Sequence, residues 1–119
     1  MKKLFIFICL WLTIQGCFAV TKTAVVDNGN WATAATWSPA GAPAAGDDVI
    51  IPNGITVVLE ANMATAINTL TIQNGGRLNG NNKQFNNVTT SIIIDAGGTM
   101  NAISSISIPS TLIMQELLL

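Results

Sequence analysis

Apolar residues two apart recur along the middle of the chain at a nearly fixed period. Val49/Ile51, Leu70/Ile72 and Ile92/Ile94 each mark one face of an extended segment, the period-two signature of a strand. Each pair is followed at the same offset by a glycine (Gly54, Gly75 or Gly97) and then by another apolar residue, Val57, Leu78 or Met100. Val49 to Leu70 is a step of 21 residues, and Leu70 to Ile92 a step of 22. The shared glycine predicts a bend that needs positive φ or leaves no room for a Cβ.

Two architectures use strand–glycine–strand units. An antiparallel β-sandwich accommodates the strand spacing. It gives no reason for the same turn chemistry to return every 21 or 22 residues. A parallel β-helix does, because each coil lies on the one before at about 4.8 Å and equivalent residues stack. The pattern therefore predicts an all-β fold, a short parallel β-helix of about three coils, with the sandwich as the alternative. Asn53 over Asn74 and Asn79 over Asn101 are expected as amide ladders along the axis, the first broken at Ala96.

Helix is nearly absent from this reading. Residues 60–70 (EANMATAINTL) have some helical propensity through Ala and Met, weakened by Asn62, Thr65, Asn68 and Thr69. The apolar tail, residues 111–119, is expected as a short helix or a further strand, set off by Pro109 from the strand-like Ser105–Ile108. Its close on three leucines suggests a fragment of something longer. The expected organisation is an export signal at 1–19, a capping segment at 20–46, coils at 47–110 and the tail at 111–119.

The export signal rests on Lys2 and Lys3 followed by an apolar run from Leu4 to Ile14. As a helix these eleven residues rise only about 16 Å, against about 30 Å of bilayer hydrocarbon. Two processing sites compete. Cys17-Phe18-Ala19 places small residues three and one before a cut at Val20, and Ile14-Gln15-Gly16-Cys17 is similar to a lipobox that would acylate Cys17. Both readings place the protein outside the cytoplasm, secreted or at the cell surface. Membrane association is expected only through a lipid at Cys17.

Composition narrows the chemistry. The chain has 119 residues, no His, five Lys+Arg and six Asp+Glu. So few bases make nucleic acid an improbable partner. Without His there is no Ser–His–Asp triad and no His-ligated metal. Cys9 and Cys17 both precede Val20, so the folded part carries no disulfide. No cofactor is expected.

The front of the domain carries a more particular pattern: Gly29-Asn30-Trp31, Thr36-Trp37-Ser38, Pro43, Gly46-Asp47-Asp48-Val49 and Ile51-Pro52-Asn53-Gly54. It resembles the start of the eight-glycine (G-eight) domain and of similar bacterial right-handed β-helix surface proteins, over about residues 27–80. The resemblance implies an extracellular right-handed β-helical module, often part of a longer protein and sometimes linked to glycan handling.

Candidate sites follow, each beside a structural alternative. Trp31 and Trp37 could stack against a sugar ring or cap the open end of the coil stack, and the cap is the expectation. Asp47 and Asp48 could contribute to a Ca²⁺ site, but two acids fall short of the usual oxygen count, so a backbone-bonding turn is expected. Arg77, Lys83 and Asp95 are the groups that could imitate a polysaccharide lyase, and are expected as solvated charges, with Lys83 in an Asn-rich loop. Asn87-Val88-Thr89 fits a glycosylation sequon and is expected to be chance. No catalytic residue is assigned. The expected role is a non-catalytic exported β-helix module, structural or adhesin-like, whose partners are surface glycans or the rest of a longer β-helix. The alternative is a glycan-binding or polysaccharide-processing fragment.

Overall fold

The computed structural model describes residues 18–107 and 111–115. Cys9, Cys17 and the apolar run from Leu4 to Ile14, on which the expected export signal rests, lie outside the described residues. Among the described residues ten strands follow one another: β1 (Thr21–Ala24), β2 (Gly29–Asn30), β3 (Trp37–Ser38), β4 (Asp48–Ile51), β5 (Thr56–Val58), β6 (Ile67–Ile72), β7 (Arg77–Phe85), β8 (Val88–Ile94), β9 (Thr99–Ile106) and β10 (Thr111–Met114). From β4 onward the chain passes back and forth between two sheets. One has the order β10-β8-β6-β4-β1-β3 and the other β2-β5-β7-β9. All neighbours are parallel except β1 and β3.

That topology is a parallel β-helix. Val49 pairs with Leu70, Leu70 with Ile92 and Ile92 with Leu112. Val57 pairs with Leu78 and Leu78 with Met100 on the opposite sheet. The apolar members of the repeat therefore lie one above another, and the inward side chains of Val49, Leu70, Ile92, Val57 and Leu78 form the core. Val49, Ile51, Val57, Leu70, Ile72, Leu78 and Ile92 are all fully buried. Parallel neighbours displace the antiparallel sandwich. Residues 60–70 are not helical: a loop leads into β6 at Ile67. The tail begins a further rank, because Thr111–Met114 pairs along β8.

The repeated glycine sits at the corner between the sheets. Gly54, Gly75 and Gly97 have φ of 78°, 76° and 85°, where a Cβ clashes with the following carbonyl. The corners also bond along the axis: Gly54 N–H donates to Gly75 O at 3.1 Å, and Gly75 N–H to Gly97 O at 3.0 Å. The asparagines do not form the expected ladder. Asn53 Oδ1 lies 2.6 Å from where a Cβ on Gly75 would stand, and Asn74 Oδ1 2.5 Å from the same point on Gly97. Each amide thus stacks on the next coil's glycine. Asn79 and Asn101 are register partners, but Asn79 Oδ1 accepts from Asn81 N–H instead.

The two ends of the stack differ. At the leading end β3 runs antiparallel to β1 and covers its outer edge. At the other end burial decays along the inward columns. Ile51 and Ile72 are fully buried, Ile94 half-buried, and Met114 in the same column is 66% exposed. Met100 and Ile103 are also half-buried. The described part of the solenoid is closed at its start and open at its last rank.

Candidate functional site

The leading end gathers four of the residues singled out in the sequence, Trp31, Trp37, Asp47 and Asp48. After β2 the chain enters Trp31, whose N–H donates to Val58 O at 2.9 Å. A single 3-10 turn, Ala34–Thr36, then returns it to β3. Thr36 folds over Gly29, where a Cβ would lie 2.7 Å from the threonine methyl. This close approach is why a glycine occupies an inward strand position. Trp37 is 2% exposed and donates its indole N–H to Trp31 O at 2.8 Å. Trp31 is 7% exposed, edge-on to Trp37 (centroids 5.2 Å apart) and to Phe85 (5.5 Å). Neither indole offers an open face to solvent. The aromatic cluster binds the first rank to the coils that follow.

The charged residues around this end hold backbone. Asp47 is 4% exposed; its Oδ1 accepts from Val20 N–H at 3.0 Å and its Oδ2 from Ala44 N–H at 2.8 Å. Asp48 Oδ1 accepts from Asn68 Nδ2 at 2.8 Å and Thr69 Oγ1 at 2.7 Å, so one carboxylate joins two successive coils. The axial chain continues through a short contact from Thr90 Oγ1 to Asn68 Oδ1. Among the described residues no group of three His, Cys, Asp or Glu side chains is placed to hold a metal ion.

Three further clamps escaped the sequence reading. Lys22 pairs with Val49 and points inward, 8% exposed, with Nζ donating to Pro39 O at 3.0 Å and Ala40 O at 3.3 Å. Its alkyl stem covers the apolar end of the stack while the ammonium ties down the cap loop. Asp27 Oδ1 accepts from Thr56 N–H at 2.9 Å, and Glu60 Oε1 from Ala32 N–H at 2.9 Å. Thr21-Lys22-Thr23 is polar throughout, so no local pattern marks Lys22 as inward. Nothing in the sequence marks Asp27 or Glu60 either.

The remaining candidates are scattered. Arg77 is exposed on β7, where its Nε donates to Thr99 Oγ1 at 3.2 Å across the register pair. Lys83 is on β7 rather than in a loop, paired with Ile103. The asparagine-rich stretch continues the strand past Asn81 and Asn82, both at positive φ, as a bulge. Asp95 is half-buried in the corner before Gly97. Asn87 donates its amide to Met63 O at 2.7 Å. A shallow cleft beside the cap is lined by Trp31, Pro43, Leu59, Glu60, Asn62 and Met63, among others. Two of its polar side chains are engaged: Glu60 holds Ala32, and Asn62 Oδ1 accepts from Gln84 N–H at 3.0 Å.

Fold and cap define a short parallel β-solenoid with one closed end. A family model described as a domain of unknown function, DUF8693, matches residues 22–111, and the chain belongs to that family. The match runs from the inward lysine of β1 to the first residue of β10, so it covers the cap and the coils together. Comparison with curated proteins and with solved structures gave no match.

Proposed function

We propose that this domain is a non-catalytic module of an exported protein, a structural or adhesin-like element at the cell surface or in the secreted space. The observation that carries the reading is the employment of its charged side chains. Lys22, Asp27, Asp47, Asp48 and Glu60 each hold backbone or a neighbouring coil at the closed end. Such clamps build a rigid starter for a stack of coils. The open last rank, with Met114 exposed at the position where Ile51 and Ile72 are buried, suits continuation by further coils of a longer β-helix. The G-eight-like pattern around Trp31, Trp37 and Gly46-Asp47 and the signal-like residues 1–19 support placement outside the cytoplasm.

Glycan handling is the competing reading, and the cleft beside Trp31 is where a sugar would lie. A glycan-array screen combined with a polysaccharide depolymerisation assay separates the two. The module is expected to give no turnover, and clear turnover refutes the proposal. Binding that is lost in Glu60→Gln without loss of thermal stability would move the function to the cleft.

A further inference from the structure

We infer that the mature protein begins at Val20 and that Asp47 is the receptor for its new α-ammonium. The inference rests on the export reading above. Two independent observations converge on the same bond. In the sequence, Cys17 and Ala19 stand three and one before the Ala19–Val20 junction, as a signal peptidase prefers. In the structure, Val20 is where the chain joins the solenoid. Its N–H donates to Asp47 Oδ1 at 3.0 Å, and its carbonyl accepts from Asp48 N–H at 3.0 Å. Phe18, two residues earlier, is 84% exposed, and Ala19 is exposed as well.

Asp47 is built to hold a cation there. The carboxylate is 4% exposed and fixed by Ala44 N–H on its other oxygen. Its own backbone is locked by Asp47 N–H to Ala44 O at 3.1 Å and Asn68 N–H to Asp47 O at 2.8 Å. Among the described residues its oxygens are bonded only to backbone N–H groups, and the Lys22 ammonium is bonded to Pro39 O and Ala40 O. Hydrolysis of Ala19–Val20 by the export peptidase breaks the C–N bond. Water supplies hydroxyl to the Ala19 carboxyl and a proton to the Val20 amine, which takes a second proton from solvent at neutral pH. A neutral amide donor at Asp47 thereby becomes an ammonium, and a covered carboxylate gains an opposite charge in place. Charge-assisted hydrogen bonds of this kind are roughly twice as strong as neutral ones. Removal of the signal thus tightens the first rank of the solenoid.

The full chain, exported from a Gram-negative host and recovered, tests this by intact mass and N-terminal sequencing. A product starting at Val20 is expected. Export with cleavage before an acylated Cys17, or at any other bond, overturns the inference and leaves the export reading intact. Retention of uncut chain in the cytoplasm overturns both. The ion pair is then read by melting precursor and processed protein, each as wild type and as Asp47→Asn. Processing should raise Tm by roughly 4 °C or more in the wild type. It should raise it by less than half as much in Asp47→Asn. Equal shifts in the two backgrounds refute the role of Asp47. Should Asp47→Asn fail to fold, amine labelling of the wild-type product decides: the Val20 amine should react several-fold more slowly than in a peptide of residues 20–25. Equal rates overturn the assignment.

Discussion

Gly76→Ala probes the stacking of one coil on another. Gly76 follows the corner glycine of its coil, and a Cβ there would lie 2.5 Å from Ile51 O and 3.0 Å from Pro52 O, both main-chain atoms of the coil beneath. Neither can rotate away, so the coils must part by roughly half an ångström or more to restore ordinary contact. Overpacking of this kind costs about 1–3 kcal/mol. The parting also stretches Gln73 N–H to Ile51 O (2.9 Å) and Arg77 N–H to Ile55 O (3.0 Å), each contributing about 0.5–1.5 kcal/mol. A total near 2–4 kcal/mol follows if each bond is weakened rather than lost. Gly54→Ala is the control. Its φ of 78° imposes about 1–2 kcal/mol of strain. Restriction of the unfolded chain offsets about 0.4–1 kcal/mol of that, and nothing lies within 4 Å of the new Cβ. Urea unfolding at constant m-value measures both. If Gly76→Ala costs no more than Gly54→Ala, the coils are not packed as described.

Two further outcomes are expected. Trp37→Ala removes a buried indole and the donor to Trp31 O, so it should destabilise by about 3–5 kcal/mol, read as a loss of urea midpoint; a change below about 1 kcal/mol would mean that the cap is not part of the folded unit. Calcium up to millimolar levels should leave Tm unmoved, because the Asp47 oxygens accept backbone N–H groups and Asp48 Oδ1 ties two coils; a clear rise in Tm would give those acids a metal-binding role.

The coil architecture was legible in the sequence because a parallel stack demands the same residue type at the same height in every turn. Val49, Leu70 and Ile92 were aligned by period alone, and they are register partners. The corner glycines were visible for the same reason. The second glycine of Gly75-Gly76 and Gly97-Gly98 carried information that the repeat alignment missed. Gly76 lies over Ile51 O and Gly98 over Ile72 O, whereas Ile55 fills the equivalent place one coil earlier. The leading end was less readable, because it does not repeat. Strands β2 and β3 are two residues each, too short for periodicity to detect. The inward turn of Lys22 and the reach of Asp27 to Thr56, 29 residues on, depend on neighbours that no local pattern reveals. Asp47 was assigned to a local turn, and its bond to Ala44 is local. Its bond to Val20, 27 residues away, is not.

The stacking itself is tested most directly by nitroxide labels at Arg77 and Thr99, both exposed and paired on adjacent strands of one sheet. Parallel neighbours lie about 4.8 Å apart. The doubly labelled protein should show strong spin–spin exchange at room temperature, with each singly labelled protein giving an ordinary three-line spectrum. A doubly labelled spectrum equal to the sum of the two single ones would place these residues on separate parts of the molecule, and the β-helix with them.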